Sequence, residues 1–304
     1  MIELSRKKMI IYMACLVLIW GLCWPIYKFT LSYTPPLLYA GMRALIGGVL
    51  LSILCFPKRK SIRWSENWRI YCVSALFNTV LFFGLQTIGL MYLPGGLFSV
   101  IVYLQPVLIG IFAWIWLGET MSAIKVIGLV IGFLGVGAVS IGGISGQVSL
   151  LGLALAMITA ISWTLGVIYV KKVSPKVDSL WLVALQSVLG GVVLTGMGLG
   201  AESWSDIVWN STYVFGLVFG STLGIPVAYI LYFKLLNSGE TSKVASSTFL
   251  VPLIAVLFGT SFLGEPFTLS LFIGLILIAS SIYLVNRPKK SEPEYKHTTL
   301  QEKI

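Results

Sequence analysis

The chain is divided into apolar runs, each close to the roughly 20 residues that carry a helix across a bilayer, and the links between them are too short to fold by themselves. Ten such segments can be marked, at about 9–27, 37–56, 68–90, 95–117, 123–143, 149–170, 180–200, 211–233, 243–263 and 268–286. In hydrocarbon a backbone must satisfy its own hydrogen bonds, so runs of this length read as helices. Composition agrees. Only 11% of the 304 residues are charged and 57% are hydrophobic, with a mean hydropathy of +0.94. A soluble domain carries about 25% charged residues. A soluble enzyme, a disordered chain and a nucleic-acid-binding domain are therefore excluded. Cys15, Cys23, Cys55 and Cys72 show no CxxC spacing and read as small core residues, and the one histidine, His297, lies in a polar tail. No metal site and no cofactor are expected from this inventory.

The net charge of +10 is explained by its distribution. If the N-terminus is cytoplasmic and the spans alternate, all of the 21 lysines and arginines except Lys28 and Arg43 fall on the cytoplasmic side. That bias is a strong positive-inside signal. It needs an even number of spans, it leaves no role for nucleic acid, and it favours anionic lipid headgroups as partners of the inner face. The first run follows Arg6, Lys7 and Lys8 but is too long for a signal-peptide core and lacks a cleavage pattern, so it is expected to be retained. The expected location is the plasma membrane, multi-pass, with both termini cytoplasmic.

The chain also repeats itself. A shift of 146 lays Leu104–Leu129 on Leu250–Leu275, with Pro106 on Pro252 and Leu117-Gly118-Glu119 on Leu263-Gly264-Glu265. A shift of 143 lays Trp20 on Trp163, Lys28 on Lys171, Arg43 on Gln186 and Gly47-Gly48 on Gly190-Gly191. Each copy holds five spans, an odd number, so the second enters the membrane from the opposite side. The expected fold is all-α, ten transmembrane helices as two inverted five-helix repeats: residues 1–145, residues 146–287, and a polar tail over 288–304. Inverted repeats are a common construction of secondary transporters, because exchanging two similar packings yields inward-open and outward-open states of comparable energy.

Few residues could do work inside such a bundle. Arg43 is the only charge well within a span. It could recognise a substrate carboxylate or phosphate, or clamp backbone carbonyls. Trp20, Trp24 and Lys28 recur every four residues on the first helix, and Trp163 sits at the matching place in the sixth. The tryptophans are candidate cavity walls, while Lys28 is expected in solvent at the outer rim. Pro106 and Pro252 are expected mid-span, as paired hinges. Gln86, Tyr103, Gln105, Tyr229, Tyr232, Ser246 and Ser247 are the sparse polar groups able to orient a ligand. Glu119 and Glu265 read as structural, pairing with nearby bases or capping the next helix. No Asp, Glu or His lies deep in a span, so proton coupling is expected to be weak or indirect. No GxxxxGK[ST] is present, which excludes a primary pump in one chain.

Trp20-Gly21, Arg43, Pro106 and Leu-Gly-Glu at 117–119, followed by Trp163, Pro252 and Leu-Gly-Glu at 263–265, resemble the pattern of the drug/metabolite transporter superfamily, and within it the EamA-type ten-span transporters. The likeness runs from about residue 9 to 287. Where many members carry Asn near positions 23 or 24, this chain has Cys23 and Trp24. The resemblance implies a central cavity lined mainly by spans 1, 3, 4, 6, 8 and 9, with spans 5 and 10 outside it, and movement of amino acids or related metabolites, often export. A multidrug or nucleotide-sugar-like carrier of the same fold, or a non-transporting membrane scaffold, are the alternatives. A membrane enzyme is not expected, for want of a nucleophile, base or metal cluster. A second copy of the chain is left open as a partner.

Overall fold

A computed structural model describes residues 5–117, 123–144, 148–236, 248 and 250–285, and among these there is no strand. Among the described residues a series of apolar helices follow one another. They are α1 (Arg6–Thr30), α2 (Pro36–Cys55), α3 (Trp64–Tyr92), α4 in two pieces (Gly95–Val102 and Gln105–Leu117), α5 (Ala123–Ile144), α6 (Leu150–Val173), α7 (Ser179–Ala201), α8 (Ser211–Leu235), α9 (Leu250–Leu263) and α10 (Leu269–Val285). Seven stretches are long and apolar enough to cross a membrane; Ala123–Ala138, Leu250–Leu263 and Leu269–Leu284 are shorter apolar helices. The molecule is a helical, multi-pass membrane protein.

The helix ends follow local chemistry. Ser149 accepts from Gly152 N, Asp178 from Leu180 N and Trp181 N, and Asn210 from Tyr213 N, each satisfying first-turn donors. After α9 the chain reverses at Gly264, whose φ of 64° is one that a side chain rarely tolerates. Glycine also sets the main packing. α2 lies along α7 with their backbones nearly touching: a Cβ on Gly41 would fall 2.5 Å from Thr195 N, and one on Gly191 would fall 2.5 Å from Leu45 N. α5 lies along α10, where Ser281 Oγ donates to Gly128 O. Around these pairs, α1 packs on α9, α3 on α6, and the first piece of α4 between α6 and α9.

Two expectations about these elements change. Cys15 and Cys72 are exposed on helix surfaces, so only Cys23 and Cys55 are core residues. The bend expected at Pro106 also moves. α4 breaks at Tyr103–Leu104, and Pro106 is the second residue of the new piece, where its missing N–H is needed least. Pro252 is the third described residue of α9.

Two helices instead widen where no break was expected. Leu76–Leu81 in α3 and Phe219–Val227 in α8 are π-helical. In α3, Asn78 Nδ2 donates to Ser74 O and Ser162 Oγ donates to Phe77 O, drawing two carbonyls from the helical ladder. In α8, Pro226 has no N–H to give. Short π stretches inside α-helices recur at functional sites.

Candidate functional site

Both widened turns lead directly into one aromatic cavity. It is lined by Trp20, Cys23, Trp24 and Tyr27 of α1, Arg43 of α2, Phe82, Phe83 and Gln86 of α3, Tyr103 of α4, Trp163 of α6, and Gly224, Ile225 and Tyr229 of α8. Its volume is about 50 Å³, far below the roughly 300 Å³ of a small-molecule pocket, so the rings must part before a metabolite fits. Tyr103 is in edge contact with Trp163, centroids 5.6 Å apart, and Trp163 stacks on Phe82 at 5.1 Å. Trp24 meets Tyr103 at 6.3 Å, and Trp20 meets Tyr229 at 6.0 Å.

Arg43 is 2% exposed. Its Cζ lies 4.0 Å from the centroid of the Tyr27 ring, 4.4 Å from that of Phe83 and 5.8 Å from that of Tyr39. Nη2 donates to Gln86 Oε1 at 3.2 Å, and the buried Nε has no hydrogen-bond partner. Placing arginine at mid-span costs roughly 2.5–3.5 kcal/mol on insertion scales; a desolvated cation over a ring face recovers about 2 kcal/mol. The aromatic sandwich thus makes the charge tolerable without neutralising it. Gly220 and Gly224 of α8 leave the room: a Cβ on Gly220 would fall 2.5 Å from Arg43 Cδ, and one on Gly224 2.6 Å from the Tyr27 hydroxyl.

Of the residues singled out in the sequence, Trp20, Trp24, Arg43, Gln86, Tyr103, Trp163 and Tyr229 are brought around this cavity. Tyr232 is not. It packs on Trp20, centroids 5.5 Å apart, in a side cluster with Leu16 and Leu235. Gln105 is buried away from the lining. Ser246, Ser247 and Glu119 lie outside the described residues. α2 contributes Arg43, which the expected set of spans did not include, and no described residue of α9 lines the cavity; α5 and α10 stay outside it.

Sequence reasoning missed Cys23, Tyr27, Phe82 and Phe83. The signal for two of them was present. At about 100° per residue, Tyr27 falls within about 20° of Trp20, whereas Lys28 falls about 80° away. The four-residue rhythm therefore picked the wrong neighbour. Tyr27 Oη donates to Cys23 Sγ at 3.1 Å, joining the two in the wall. Lys28 is not left in solvent: it is half-buried and donates to the carbonyls of Leu90 and Met91 at the end of α3. Glu265 caps a helix, though not the next one. Its carboxylate accepts from Gly95 N at 2.6 Å and Gly96 N at 3.0 Å, the start of α4. Glu202 does the same for α2, accepting from Leu37 N and Leu38 N.

A bundle of membrane helices around an aromatic cavity is the build of a membrane transporter. The sequence profile of the EamA-like transporter family matches residues 7–141 and again 150–287, and the chain belongs to that family. It is 50% identical over 290 residues to the uncharacterized transporter YvbV of Bacillus subtilis (strain 168), covering 95% of each chain. It is 25% identical over 295 residues to a probable amino-acid metabolite efflux pump of Escherichia coli (strain K12), covering 92% of this chain and 95% of that one. A solved crystal structure shares the fold with a TM-score of 0.62 at 17% identity, over 92% of this chain and 98% of that one. The family is one of transporters, which is not an enzymatic class.

Proposed function

We propose that the protein is a secondary transporter that exports a small organic metabolite, an amino acid or a related compound, across the plasma membrane by alternating access. The observation that carries this reading is the cavity itself: an aromatic chamber walled by α1 to α4 of one half and α6 and α8 of the other. Closing and opening such a chamber requires the halves to move relative to each other. The two-fold family match supports ten spans as inverted five-helix repeats, as does the placement of the π turns, which begin at Leu76 and Phe219, 143 positions apart. So does the packing, in which α2 meets α7 and α5 meets α10, each helix against its own counterpart. The positive-inside bias supports cytoplasmic termini and an inner face against anionic lipid. The printed role of the Escherichia coli relative supports efflux of an amino-acid metabolite.

The test is flux in proteoliposomes loaded with candidate metabolites. Saturable, stereoselective efflux is expected, and it should persist when the pH gradient is collapsed. Trp163→Ala, which removes the ring between Tyr103 and Phe82, should lower the rate about tenfold, by about 1.4 kcal/mol of lost ring contact, with normal insertion. Efflux that rises linearly with concentration and ignores Trp163 would remove the carrier reading.

A further inference from the structure

The charge balance of the cavity points to the sign of its ligand. The guanidinium of Arg43 faces neutral groups: Gln86, the rings of Tyr27 and Phe83, and the thiol of Cys23. The described carboxylates are engaged or placed elsewhere. Glu66 lies 4.0 Å from Arg63, while Asp178, Glu202 and Glu265 accept from backbone N–H groups at helix starts, and Asp206 is exposed in the short turn Trp204–Asp206. Arg43 Nε is left without an acceptor although fully buried. Among the described residues, then, the chamber holds one positive charge with an unpaired buried donor, and no negative partner.

We propose, resting on the carrier reading above and narrowing its cargo from amino acids to related compounds that lack the ammonium, that the transported substrate is an organic monoanion: a carboxylate or similar oxyanion on an apolar or aromatic body, with its anionic head on Arg43. A planar guanidinium with a free donor fits such a head. The tryptophans suit the body. A cation would be repelled. The ammonium of a zwitterion would find no carboxylate, and the ring faces nearest the head, those of Tyr27 and Phe83, are already taken by Arg43. The proposal also accounts for export without an intramembrane proton carrier. One negative charge moving outward runs down an inside-negative potential, which at 100 mV sustains a ratio of about 50-fold.

The test uses the full chain in proteoliposomes and three probes with a phenyl body. They are p-toluenesulfonate, anionic at every pH and so unable to leak as a neutral acid; phenylalanine, a zwitterion; and phenyltrimethylammonium, a cation. Efflux is measured with and without a potassium–valinomycin potential. In parallel, a Cys15→Ala, Cys55→Ala, Cys72→Ala background leaves Cys23 as the thiol that reports cavity occupancy through protection from N-ethylmaleimide. The sulfonate is expected to move, to speed up when the inside is negative, and to protect Cys23. Arg43→Gln should cut sulfonate flux and protection at least tenfold, and Arg43→Lys should restore part of both. If Arg43→Gln does not fold, the comparison of probes on the parent protein and the Arg43→Lys variant still decides. Movement of phenylalanine or the cation in preference to the sulfonate overturns the proposal while the carrier reading stands. If no probe moves or protects Cys23, the proposal falls, and the carrier reading is decided separately by the metabolite flux and its dependence on Trp163.

Discussion

Glu265→Gln should open the cavity from the end of the molecule where α1 finishes and α4 begins. At that end the short link between α3 and α4 is held by two charges. Lys28 donates to the carbonyls of Leu90 and Met91 at the C-terminal end of α3, and Glu265 accepts from Gly95 N and Gly96 N at the N-terminal end of α4. Each charge has the sign that complements its helix dipole. Glu265 follows α9, whereas α4 belongs to the first half of the chain, so this contact ties the halves together. A hydrogen bond to a charged group contributes about 1.5–3 kcal/mol. Glutamine keeps one carbonyl acceptor but loses the charge and one of the two bonds. Since 1.4 kcal/mol is a factor of ten, the open population should rise at least tenfold. The measurement is the rate at which a membrane-impermeant maleimide reaches Cys23 from that side, in the background lacking the other cysteines. An unchanged rate would show that the contact does not hold the chamber shut.

Gly191→Val should destabilise the protein more than a substitution at any lining residue. A Cβ at Gly191 would lie 2.5 Å from Leu45 N and 2.8 Å from Leu45 Cα; across the same contact, one at Gly48 would lie 2.7 Å from Val188 N. These obstacles are backbone atoms and cannot turn aside as a side chain would, so α2 and α7 must separate. In lipid, helix association rests on close packing, and overfilling a packed contact costs typically 1–3 kcal/mol. The expected loss is at the upper end, about 3 kcal/mol, seen as an earlier thermal transition of the detergent-solubilised protein. Gly196→Ala on the same helix is the control. Nothing lies within 4 Å of its Cβ position, so the change should be neutral or gain up to about 1 kcal/mol of helix propensity. Equal melting of the two variants would refute the close approach of α2 and α7.

The positions of the helices were legible in the apolar runs, and so was much of the cavity, because rare residues in apolar surroundings stand out. Arg43, Gln86 and the tryptophans are of this kind. Phe82 and Phe83 were not legible, since phenylalanine in an apolar helix is as suited to lipid as to a chamber. Tyr232 was included and Tyr27 omitted for one reason: the residue type was visible, but the angle at which the helix presents it was not. The π turns left no trace either, because an extra residue in a turn shifts no polar pattern where every neighbour is apolar. Glu265 and Lys28 were visible as charges at helix ends, but their partners are 62 or more positions away in the chain.

Taken alone, the sequence determined that this chain crosses a bilayer as helices, because long apolar runs can satisfy their backbones in lipid in no other common way. It also determined which polar groups were available to work there. The tertiary structure decided which face of each helix turns inward. In water the hydrophobic effect orients an amphipathic helix, but in lipid both faces are equally at home. Orientation then falls to contacts that exist only after packing: the glycines that let α2 approach α7, the α8 groove that receives Arg43 and Tyr27, and the carboxylate of Glu265 on the start of α4.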